Sequence, residues 1–82
     1  MSSWRRIEEL APTWRMGVLV INCPCGQCGG RVRIRTQIAM AAAQPGEKTW
    51  MVSGQFPDLT LKPSVDAGCW HGWITAGGVT TI

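Results

Sequence analysis

Four cysteines and a single histidine fall into two tight groups in a chain of only 82 residues. Cys23, Cys25 and Cys28 form one group, Cys69 and His71 the other. Nothing else constrains the fold as strongly, because a chain this short cannot rely on its core. Surface scaling predicts about 8,000 Å² buried on folding, worth about 120 kcal/mol if somewhat over half is apolar. Ordering the chain costs about the same. A domain balanced in this way needs a staple: disulfides, a metal or a partner chain.

The staple is expected to be zinc. Zinc takes four nitrogen or sulfur ligands in a tetrahedron, usually as two short-spaced pairs. Cys25-Gly26-Gln27-Cys28-Gly29 has the two-residue gap and trailing glycine that let one turn aim two thiolates at an ion. Cys69-Trp70-His71 has a one-residue gap. On an extended segment that gap puts both side chains on one face, with Cα atoms roughly 6.6 Å apart. Five candidates compete for four positions. The expected set is Cys25, Cys28, Cys69 and His71 around one structural Zn²⁺, with Cys23 as the alternative ligand; a three-cysteine set with His71 outside stays open. No apolar signal core opens the chain, so the cytoplasm is expected (the host cytoplasm if phage-encoded), with thiols reduced rather than paired as disulfides.

The pattern predicts one domain over 1–82, mainly all-β. Five or six short strands would form a zinc-stapled ribbon or mini-sandwich, after a short N-terminal helix over 3–11 capped by Ser3. Ten glycines and five prolines argue for turns over helices. Strands are read at 16–22, 31–35, 48–53 and 59–65, with Pro63 demoting the last to a sheet edge. A hairpin over 73–82 would turn at Ala76-Gly77-Gly78. The longest apolar run, 17–21, is far too short to cross a bilayer, so no membrane partner is expected. In 31–35 strict alternation sends Val32 and Ile34 inward and Arg31, Arg33 and Arg35 outward.

Catalytic zinc is disfavoured. Pro24-Cys25-Gly26-Gln27-Cys28 matches half of a zinc-deaminase signature, but the His-x-Glu half is missing because position 73 is Trp. No HExxH helix exists. The expectation is therefore a non-enzymatic zinc protein. A host or cognate protein would be its partner, bound through Arg31, Arg33 and Arg35 in an adaptor, inhibitor or regulator role. A nucleic-acid-binding zinc ribbon using the same arginine face with exposed tryptophans is the alternative. A zinc-dependent hydrolase is the third reading.

Residues 16–82 also carry a wider resemblance. An apolar strand runs into Cys23-Pro24-Cys25 and Cys28-Gly29; Trp50 follows, then Leu61-Lys62-Pro63-Ser64-Val65, Gly68-Cys69-Trp70-His71, Trp73-Ile74 and Gly78-Val79. This order resembles a family of small bacterial and phage proteins whose pattern is Cys-Pro-Cys-Gly-Cys-Gly, Leu-x-Pro-Ser-Ile/Val and Gly-Cys-x-x-His-Phe. The chain departs from it by the inserted Gln27 and by one residue fewer between Cys69 and His71. Members are often labelled ammonia monooxygenase, which none of these residues supports. The family also occurs beside bacterial ubiquitin-conjugation-like genes. The resemblance implies a zinc-binding adaptor or accessory role there.

Overall fold

The computed structural model describes residues 5–40 and 42–81. Eight short strands run in chain order: β1 Arg5–Arg6, β2 Thr13–Arg15, β3 Val18–Asn22, β4 Arg31–Arg35, β5 Met51–Ser53, β6 Thr60–Asp66, β7 His71–Thr75 and β8 Gly78–Thr81. They form a five-stranded sheet ordered β1-β8-β7-β6-β5 and a three-stranded sheet ordered β2-β3-β4. Every pairing within the sheets is antiparallel. The mainly β class expected from composition is the class observed. Among the described residues no helix is long and apolar enough to cross a membrane.

Alternation in the sequence explains the core. In the β3–β4 ladder Leu19 faces Ile34 and Ile21 faces Val32, so one face of the small sheet is wholly apolar there. Across the large sheet Leu61, Ile74 and Val79 line up on three successive strands. All seven side chains are buried, and the two faces pack with Ile7, Leu10, Leu59 and Trp70 into one core. Each such aliphatic contributes about 1.5–3 kcal/mol when fully buried.

The structure corrects several expectations. Residues 7–10 make a 3₁₀ turn after β1, not a helix over 3–11. Its Ile7 and Leu10 are buried, and Ala11 in the left-handed region ends it ahead of Pro12. Ser3, the expected cap, lies outside the described residues. An additional strand, β2, forms a hairpin with β3 through Met16-Gly17, both at positive φ. The Ala76-Gly77 turn of the expected β7–β8 hairpin has the same signs, the type I′ pattern whose twist suits short hairpins.

Pro63 does not mark an edge. β6 is an interior strand, flanked by β5 and β7. The proline fits because the register with β7 shifts between Leu61 and Val65, and a bulge there removes the need for a regular ladder bond. Arg35 does not point to solvent either: it is buried, whereas Arg31 and Arg33 are exposed. The strand alternation fails at its last residue because the chain there turns towards β5. Trp50 N donates to Arg35 O (2.8 Å) and Gln37 N to Trp50 O (3.0 Å), tying the end of β4 to the start of β5. The Gln37 carboxamide continues this contact. Its Nε2 donates to Val52 O (3.2 Å) and its Oε1 accepts from Val52 N (2.8 Å).

Candidate metal centre and serine–histidine pair

The β3–β4 and β6–β7 turns meet at one end of the two sheets. Cys23 directly follows β3, and its N–H donates to Gly30 O (2.9 Å), closing the first turn. Within that turn Gly26 and Gly29 both take positive φ, which L-residues rarely adopt and which folds Cys25 and Cys28 back towards Cys23. Cys69 comes from the second turn, held by Ala67 N donating to Trp70 O (2.7 Å).

The four sulfurs of Cys23, Cys25, Cys28 and Cys69 lie within 4.8 Å of one another. Cys23 and Cys69 approach to 2.8 Å, and Cys69 and Cys28 to 3.4 Å. A tetrahedral thiolate site with bonds of about 2.3 Å needs sulfurs about 3.8 Å apart, so the cluster has the right span. These four cysteines could hold a metal ion.

Electrostatics point the same way. The N–H groups of Gln27 and Cys28 both donate to Cys25 Sγ (3.4 Å each), and they hold its thiol down at about 6. Gly30 N donates to Cys28 Sγ at 3.4 Å. The two donors to Cys25 favour its thiolate over its thiol. Hydrogen bonding to Cys23 pushes Cys69 up, and burial pushes Cys23 up. Four thiols this close cannot all ionise without a cation among them, and a cation is what the donor set suits.

His71 stands outside this group. It is the first residue of β7, and its Nε2 lies 3.0 Å from Ser64 Oγ on β6. Of the expected metal set, Cys25, Cys28 and Cys69 come together, Cys23 joins them, and His71 faces a serine instead. The register of the β6–β7 hairpin explains the contact. Asp66 is the cross-strand partner of His71, which puts Ser64 on the same face, one diagonal step away. Trp50 Nε1 donates to Ser64 O (3.1 Å), filling the pairing that β5 no longer supplies and fixing the backbone beneath the hydroxyl. Ser64 is half-buried and His71 exposed, so the pair is open to solvent. With the ring proton on Nδ1, Nε2 accepts from the Ser64 hydroxyl, the arrangement that activates a serine nucleophile. Residue spacing does not point to Ser64; only the hairpin register about Gly68, joined to the uniqueness of His71, could have found it.

The arginine face is less available than alternation implied. Arg33 pairs with Glu47 (2.8 Å). Arg31 donates to Asn22 Oδ1 (2.7 Å) and Ala11 O (2.9 Å), within its own sheet and the neighbouring turn.

Residues 5–82 match the model of a family described as bacterial ubiquitination-like system serine protease (BubE). The chain belongs to the BubE family. No curated protein and no solved structure matches it. The BubE family is by its description bacterial and part of a ubiquitination-like system, the setting that the family resemblance of residues 16–82 implied. Its description adds a serine, and the serine that faces the chain's single histidine is Ser64.

Proposed function

We propose that this chain is a serine hydrolase of a bacterial ubiquitination-like system, with Ser64 as nucleophile and His71 as its base. One zinc ion on Cys23, Cys25, Cys28 and Cys69 would pin the fold beneath them. The observation that carries this reading is the 3.0 Å contact between Ser64 Oγ and His71 Nε2 on the outer face of the large sheet. In the reaction His71 takes the hydroxyl proton as Oγ attacks an acyl carbon, then returns it to the leaving group. Water, activated by the same imidazole, releases the acyl group from Ser64. Soft thiolate donors favour zinc over hard cations. Four such donors leave no open position, so zinc there supplies folding energy and the chemistry stays with Ser64 and His71.

This replaces the non-enzymatic adaptor as the leading reading. The adaptor and nucleic-acid readings both lean on three outward arginines, and Arg35 is buried while Arg33 is held by Glu47. The test is labelling of the metal-loaded protein by a fluorophosphonate probe. Wild type should be labelled at Ser64 and Ser64→Ala should not. His71→Ala should react about 10²- to 10⁴-fold more slowly, the usual contribution of a general base. Folded wild type that takes no label, or a Ser64→Ala variant that labels equally, would overturn the assignment.

A further inference from the structure

Beside the Ser64–His71 pair, the outer face of the large sheet carries an apolar groove of about 450 Å³. Met51, Pro63 and Trp73 form its walls, and Lys62 is among the residues that line it. Register explains the grouping. Met51 faces Lys62 across β5 and β6, while the neighbouring Leu61–Ile74 pair is buried on the other side of the sheet. Trp73 lies two residues along β7 from His71 on the same face, since Gly72 and Ile74 between and beyond them point inward. Pro63 is the residue before Ser64. The groove therefore lies next to the candidate nucleophile, lined by the residue before Ser64 and by the next outward residue after His71.

Two features say what would fill it. Trp73 is 45% exposed and Met51 is 60% exposed, large apolar side chains that a small domain would otherwise bury. Lys62 is exposed, and among the described residues no carboxylate forms an ion pair with it. The volume is in the range of ligand pockets, larger than one side chain requires.

We infer that this groove is the subsite for an extended peptide acyl group. It takes a large apolar side chain between Met51, Pro63 and Trp73, with an acidic residue of the same peptide set against Lys62. The inference rests on the catalytic role of Ser64 and His71. Trp73, Met51 and Lys62 would then be specificity-determining residues, choosing which carbonyl Ser64 meets.

The experiment uses p-nitrophenyl acetate, butanoate and hexanoate with the metal-loaded full chain. Ser64 Oγ bonds to the acyl carbon, p-nitrophenolate leaves, and His71 carries the proton; the Ser64→Ala rate is subtracted as background. kcat/KM should climb about tenfold for each two methylenes that enter the groove. Trp73→Ala should remove the climb, Trp73→Phe should keep most of it, and Met51→Ser should lessen it. With N-acetyl-Glu-Leu and N-acetyl-Lys-Leu p-nitrophenyl esters, wild type should favour the acidic peptide and Lys62→Glu the basic one. Ser64-dependent hydrolysis that ignores chain length, or a charge preference unchanged in Lys62→Glu, would overturn the subsite alone. Absence of any Ser64-dependent hydrolysis would overturn the catalytic reading beneath it.

Discussion

Cys23→Ser and His71→Ala separate the two possible metal sets. Cys23 and Cys69 are 46 residues apart in sequence and lie in turns that belong to different sheets. A link across a loop of that length restricts the unfolded chain by about 4 kcal/mol in the chain-entropy treatment of cross-links. For a domain of this size each kcal/mol moves Tm by about 4–8 °C, so losing the link should lower it by about 15–30 °C. Cys23→Ser should therefore elute without metal and melt well below wild type, and chelation of wild type should reproduce that melt. His71→Ala removes an exposed ring that no cysteine touches in the structure, so metal content should stay at one per chain. Its Tm should fall by no more than about 4 °C, the range of a neutral surface change. The assays are elemental analysis after gel filtration and thermal melts followed by far-UV circular dichroism. Retention of metal by Cys23→Ser with loss from His71→Ala would refute the four-cysteine centre. A fully chelated protein with an unchanged melt would refute the stapling argument itself.

The arginines of β4 should separate by burial in chemical denaturation: Arg33→Ser should cost under about 1 kcal/mol, as exposed ion pairs do, and Arg35→Ser about 1–3 kcal/mol. Gly72 sits between His71 and Trp73 with its missing side chain aimed into the sheet. A methyl there would run into Thr80 O and come within 2.8 Å of Trp70 Cζ2. Gly72→Ala should cost more than about 3 kcal/mol and show as loss of the cooperative melt, whereas Thr75→Ala on the exposed face should fold normally.

Local signals were enough to find β3, β4 and the β7–β8 hairpin (an apolar run, an alternating run and a glycine turn), because each is short-range and each buries one face. They failed where the chain stops being regular. Cys69-Trp70-His71 suggests two ligands on one face only if the segment is extended. In the structure Cys69 lies in a turn after Gly68, at φ +85°, and the strand begins at His71, so the two side chains part. Cys23 was the natural residue to set aside because a Cys-x-x-Cys knuckle closes within one turn. Its inclusion depends on β3 and β6–β7 meeting in space, which spacing does not encode. Ser64 depends on the β6–β7 register, and a proline inside an apolar run reads as a weakened edge until the neighbouring strands are known.

The Gln37 side chain presents a donor and an acceptor to Val52 at the spacing of a peptide group, so one carboxamide counterfeits one residue of a sixth strand. That closes the outer margin of β5 against another protein's backbone, the docking mode by which many peptides join a sheet. Under the proposed role of Ser64, a polypeptide substrate must then cross the sheet over its face, read by side chains, rather than zip onto its rim through main-chain bonds that accept any sequence. A sealed rim beside an open face makes selection a matter of side-chain fit.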